Sequence, residues 1–134
     1  MALNPKTSVA SRNLSLNAAL DVLNGGGFLR IYSGTQPTDP DTALSGNTLL
    51  IEYALASTAF AAASSGSKVM AAVSSATAGN TGTATFFSLV KSDGTTRVHD
   101  GTVGTGTHNL VVSSTTFTSG QTYAGPTLTI SQAA

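Results

Sequence analysis

The chain has 134 residues, no cysteine, and six basic side chains against six acidic ones. That length suits one domain with one hydrophobic core and is too short for two, and the missing cysteine excludes a disulfide framework, a thiolate nucleophile and a Cys-based zinc site. Charged residues are 9% of the chain, against about 25% in an average domain, so the surface is built from hydroxyls and backbone and carries no electrostatic footprint for nucleic acid or an anionic membrane.

Low charge here does not mean disorder, because 40% of the residues are apolar and the formal net charge is zero. Residues 1–10 are polar, contain Pro5 and show no period, which predicts an extended N-terminal arm ahead of a single β-rich domain over 11–134. The start, Met1 to Lys6, lacks the apolar stretch of a signal peptide, so the chain is expected to be made in a cytoplasm. Leu16, Leu20 and Leu23 then fall at i, i+4 and i+7 with Ala19 on the same stripe. This spacing predicts a helix over about 11–24, capped by Ser11 or Ser15 and stopped by Asn24-Gly25-Gly26-Gly27.

Phe28 to Ser33 alternates in the period of a strand. Gly34 to Thr42, with two prolines and two aspartates, is a loop. Asp39 and Asp41 lack the oxygen-ligand spacing of a calcium loop and are read as turn residues. Thr48 to Ser57 is a second strand with Leu49, Ile51, Tyr53 and Leu55 on one side. Phe60–Ser64 and Lys68–Ser74 suggest a strand pair about a Ser-Gly turn, and the interruption at 64–68 keeps the Ala-rich stretch from Ala54 to Ala78 well short of the about 18 apolar residues of a membrane span.

The clearest element is a hairpin between Gly82 and Gly104. Phe86, Phe87, Leu89 and Val90 are apolar on both faces, as in a strand buried between layers. Ser92-Asp93-Gly94-Thr95 supplies the turn, because Asp-Gly tolerates positive φ, and Thr96 to Thr102 returns as a more solvated strand. Asn109–Ser113, Thr115–Thr118 and Pro126–Ser131 read as three further short strands. The Gly104-Thr-Gly106 string does not open a dinucleotide fingerprint, since Val111, Val112 and the Thr run oppose a following helix. The fold class is therefore all-β, an antiparallel sandwich or barrel of roughly seven or eight strands with one N-terminal α-helix. The expected core is Leu16, Leu20, Leu29, Ile31, Leu49, Ile51, Phe86, Leu89, Val112 and Ile130.

The chemistry available is thin. His99 and His108 are the only imidazoles, His99 and Asp100 are strand neighbours facing opposite sides, and there is no Gly-x-Ser-x-Gly elbow. No catalytic residue, cofactor or metal ligand is assigned, and an enzyme is not expected. A carbohydrate-binding β-sandwich module is the rival from another class, and its aromatic platforms would have to come from Tyr32, Tyr53 or Tyr123.

Two strings, LNGGGFLRIYSGTQPTDPDTALSGNTLLIEYALA and TGTATFFSLVKSDGTTRVHDGTVGT, together resemble small structural proteins encoded among the virion genes of tailed bacteriophages, including candidate capsid decoration or cement proteins. The likeness spans most of residues 12–104 and weakens after them. It implies a bacterial-cell origin and a place in a virion; the place expected is the capsid exterior, against the major capsid protein. It also implies homo-oligomers, often trimers. The alternative is a tail, baseplate or fibre-associated protein. Bridging contacts are expected from the arm, with Ala2, Leu3, Asn4, Pro5 and Lys6, and from the loop Gly34 to Gly46, with Thr35, Gln36 and Pro37. Nucleic acid and membrane are not expected as direct partners.

Overall fold

A computed structural model describes Lys6 and residues 8–131. The helix α1, Val9–Leu20, starts two residues before the expected boundary, because Ser8 and not Ser11 or Ser15 is its N-cap: the Ser8 backbone is extended and its hydroxyl accepts the Ser11 N–H at 3.2 Å. Leu16 and Leu20 face inward, and a 3₁₀ turn over Asp21–Leu23 ends the element with Asn24 in an extended conformation. The left-handed positions fall on Gly25 and Gly26.

Eleven short strands follow among the described residues: β1 Phe28–Tyr32, β2 Leu49–Ala54, β3 Ser67–Val69, β4 Ala76–Thr77, β5 Gly82–Thr83, β6 Phe86–Val90, β7 Arg97–Gly104, β8 Leu110–Val111, β9 Thr116–Phe117, β10 Thr122–Tyr123 and β11 Thr129–Ser131. The chain is mostly β with one N-terminal helix and a curled sheet. That sheet has the order β2-β1-β6-β7-β8, and three two-stranded ladders, β10-β4, β11-β3 and β5-β9, complete the pairing. Three more strands occur than the upper expectation, and β7 pairs β8 in parallel rather than antiparallel fashion. The hairpin about Ser65-Gly66 is present as β3 and the bridges Phe60↔Met70 and Ser64↔Ser67. Both turn residues have positive φ, 53° and 76°, the requirement of a type I′ turn.

Two β-bulges decide which side chains meet. Tyr32 pairs with Leu49 while Ile31 pairs with Ile51, so Leu50 is the extra residue. Alternation fails there, and Leu50 is wholly buried next to Ile51 whereas Leu49 is only half-buried. The expected core position Leu49 is therefore corrected to Leu50. Val112 is likewise packed against the core but only partly buried. The other eight expected core residues are buried. In the second bulge Leu89 pairs with His99 and Val90 with Arg97, leaving Val98 extra. A one-residue slip reverses a strand's faces, so Arg97 lies on the same side as Asp100 and opposite to His99.

Leu29, Ile31, Ile51, Tyr53, Phe87 and Leu89 belong to the main core with Leu16, Leu20, Leu23 and Phe60. The opposite face of the sheet carries Tyr32, Phe86 and Val90, also buried. Burial of all five β6 residues matches the two-faced apolar pattern of that segment.

Candidate functional site

The face of the sheet away from the main core holds a row of polar side chains that its register builds. Arg30 pairs with Glu52 on one side and Ser88 on the other, and Ser88 with Asp100. The Arg30 Nε donates to Glu52 Oε2 at 2.5 Å, Nη1 donates to the Gly94 carbonyl at 2.9 Å, and the guanidinium lies 5.4 Å from the Phe28 ring centroid. Burial works against the charged form of Arg30, but the hydrogen bond and charge of Glu52, with a smaller contribution from Tyr32, together outweigh it and raise its pKa. Ser88 Oγ donates to Asp100 Oδ1 at 2.7 Å, and Arg97 Nη2 meets Asp100 Oδ2 at 2.5 Å while its Nε donates to Ser88 Oγ at 3.3 Å. The Arg97 and Asp100 side chains are only 9% and 2% exposed.

This row is where the loop 34–46 is fastened. Arg97 donates through Nη1 to the Thr42 carbonyl and through Nη2 to the Asp39 carbonyl at 3.3 Å. Inside the loop, Asp39 Oδ1 accepts from the Thr42 N–H at 2.8 Å and the Thr42 hydroxyl at 2.9 Å. Asp39 is therefore engaged in closing its own turn. Asn47 Nδ2 donates to the Ser33 and Thr35 carbonyls, and Thr85 Oγ1 donates to the Gly34 carbonyl at 2.6 Å. Gly34 has φ +87°, and a Cβ there would lie 2.9 Å from Asn47 Nδ2, so only glycine lets the chain leave β1 in this direction. Thr35, Gln36 and Pro37, the expected contact residues, line a shallow cleft of about 230 Å³ with Thr42, Ser45 and Asn47.

Lys6 is exposed, while Ala2, Leu3, Asn4 and Pro5 lie outside the described residues. The loop leaves the C-terminal end of β1, whereas α1 feeds its N-terminal end.

His99 and Asp100 do not converge. His99 packs 6.3 Å from the Phe87 ring, with its pKa lowered by burial and partly restored by the Asp100 charge, and Asp100 is bonded to Ser88 and Arg97 on the other face. Among the described residues no group of three His, Asp or Glu side chains converges as a metal site, and no helix is long and apolar enough to cross a membrane. Of the three tyrosines, Tyr32 is 5% exposed and stacked on Phe86 at 5.2 Å, which removes it as a sugar platform. Tyr53 is buried, donates to the Ala124 carbonyl at 3.1 Å, and has its pKa pushed up to about 12 by burial and then by Tyr123. Tyr123 is half-buried, sits 4.6 Å from Phe117 and lines a cleft of about 300 Å³ with Tyr53 and Pro126.

Sequence reasoning missed the polar row. Its signal was a lone Arg30 and a lone Glu52 inside apolar strands, and without the sheet order neither had a partner. No family model matches this chain, and no curated protein or solved structure matches it either.

Proposed function

We propose that this chain is a non-enzymatic structural protein of a bacteriophage virion that decorates the capsid exterior and bridges neighbouring copies of the major capsid protein. In this reading the five-stranded sheet and the short ladders close as a β-sandwich, and the subunit acts as a homo-oligomer, a trimer by the resemblance stated above. The observation that carries it is the fastening of loop 34–46 by Arg97. A loop held in one conformation presents Thr35, Gln36 and Pro37 at low ordering cost on binding. The neutral surface supports it as well: among the described residues, at least three of the six basic and three of the six acidic side chains are engaged in internal ion pairs, leaving a face suited to many weak contacts.

One truncation and one double substitution test the reading. Deleting residues 2–7 spares the Ser8 cap and isolates the arm, and Gln36→Ala with Pro37→Gly isolates the loop. Both are expected to lower occupancy on capsids and the temperature at which particles release DNA. Wild-type occupancy and heat resistance in both would remove these segments from the interface. Recovery of the protein on tails alone would replace decoration by a tail, baseplate or fibre role.

A further inference from the structure

Lys68 enters the capsid reading only as one of the internal ion pairs, and its surroundings are unusual. Its side chain is 1% exposed, a rare condition for lysine, yet its Nζ lies 2.7 Å from Asn17 Oδ1 and 2.9 Å from Asp21 Oδ1. Asn17 and Asp21 are i, i+4 neighbours on one face of the helix. Asn17 Oδ1 accepts a second hydrogen bond, from the Ala63 N–H at 3.1 Å. Both partners of that oxygen are donors, so the carboxamide is oriented with its nitrogen on the other side.

These are the four parts of an amide-forming site: an amine nucleophile, a carboxamide carbon, a carboxylate to move the proton, and a backbone donor where negative charge develops on oxygen. We propose that Lys68 and Asn17 join in an intramolecular isopeptide bond, with Asp21 as the proton carrier. Asp21 takes a proton from the Lys68 ammonium, and the freed lone pair on Nζ attacks Asn17 Cγ. The carbonyl electron pair moves to Oδ1, held by the Ala63 N–H, and its return breaks the Cγ–Nδ2 bond. The two protons lost by Nζ leave on the departing nitrogen as ammonium. Charge and atoms balance, and no oxidant or nucleotide is required.

Position favours the reaction. Asn17 is fixed between the buried Leu16 and Leu20 of α1, and Lys68 is fixed in β3 by pairing with Ile130 of β11. Reactants on packed elements avoid the entropic cost of meeting, and Nζ, already 2.7 Å from Asn17 Oδ1, has to reach a near-attack distance of about 3–3.5 Å from the carbon that carries that oxygen. The Asp21 side chain is 51% exposed, which gives the leaving nitrogen a way out. The bond would close a loop between positions 51 residues apart and tie α1 to the hairpin.

Mass spectrometry of the folded, full-length protein under denaturing conditions tests this. The expected product is lighter than the sequence by one ammonia. Asn24-Gly25 can also lose ammonia as a cyclic imide, so a peptide map decides: the peptides bearing Asn17 and Lys68 must appear joined, with no tryptic cut after Lys68. Asn17→Ala, Lys68→Arg, Asp21→Ala and Asp21→Asn are each expected to abolish the joined peptide. Wild-type protein that yields free Lys68 and Asn17 peptides after prolonged incubation in the folded state overturns the proposal, whatever the variants do.

Discussion

Arg97 and Lys68 are both cations withdrawn from water, and each fastens one peripheral segment to the strands, but they hold it by different means. Arg97 spreads a planar fork of donors over two backbone carbonyls, a serine and a carboxylate, and so clamps loop 34–46 without covalent chemistry. Lys68 is a point charge on a flexible stem, set against one carboxamide of α1 and one carboxylate at its C-cap. Guanidinium stays charged and unreactive, whereas an amine can give up its proton and become a nucleophile. The same task of tying an element down therefore leaves a fixed presentation surface at one site and a reactive centre at the other.

The largest effect is expected from Arg97→Ala. It leaves the Asp100 carboxylate, 2% exposed, with only Ser88 as partner, and loss of one member of a buried pair costs about 3–5 kcal/mol. Urea unfolding checks the value, and faster proteolysis within 34–46 checks the release of the loop. Arg97→Lys keeps the charge and loses the fork, so it should fall between the two. Lys68→Met, compared with wild-type protein in which Lys68 and Asn17 are not yet joined, should cost less, about 1.5–3 kcal/mol for hydrogen bonds to a charged group, because the half-exposed Asp21 returns to water.

Acid sharpens the comparison from the His99 side of β7. Burial lowers the His99 pKa below its ordinary 6.5, so the unfolded chain binds more protons than the folded one just below that value. Stability is fully present above about pH 6.5 and falls as pH drops through the window toward the folded pKa. Asp93 adds to the loss at lower pH. The Thr96 hydroxyl, then the Thr96 and Thr95 N–H groups, hold its carboxyl well below the usual range, so its contribution is present above the unfolded carboxylate pKa and disappears as pH falls. His99→Gln is expected to flatten the stability curve just below about pH 6.5 in denaturant titrations, leaving the Asp93 limb in place. The smallest effect is expected from Ser8→Ala, at about 0.5–1 kcal/mol for a lost N-cap, and it should be smaller still if Lys68 alone anchors α1.

The elements legible from sequence are those long enough to show a period. Phe28–Tyr32, Leu49–Ala54 and the Phe86–Gly104 hairpin are found where alternation and the Asp-Gly turn place them. Ala76–Thr77, Gly82–Thr83 and Thr122–Tyr123 are two residues each, too short to carry a pattern, and they exist because another segment pairs with them. The bulges at Leu50 and Val98 are invisible for a related reason: they answer the twist of neighbouring strands, and they decide that Leu50 is core and that Arg97 meets Asp100. Loop 34–46 was readable from its prolines and aspartates. Its anchor was not, since Arg97 lies 55 positions from Thr42 in the chain, and long-range partners leave no local trace.

The most direct test of the virion assignment is an electron-microscopy map of the particle in which this chain is located and counted. The account predicts many copies in symmetric clusters on the outside of the head, with the Thr35–Pro37 segment against the major capsid protein. Density at the tail or a single vertex alone, or a head surface free of the protein, would contradict it.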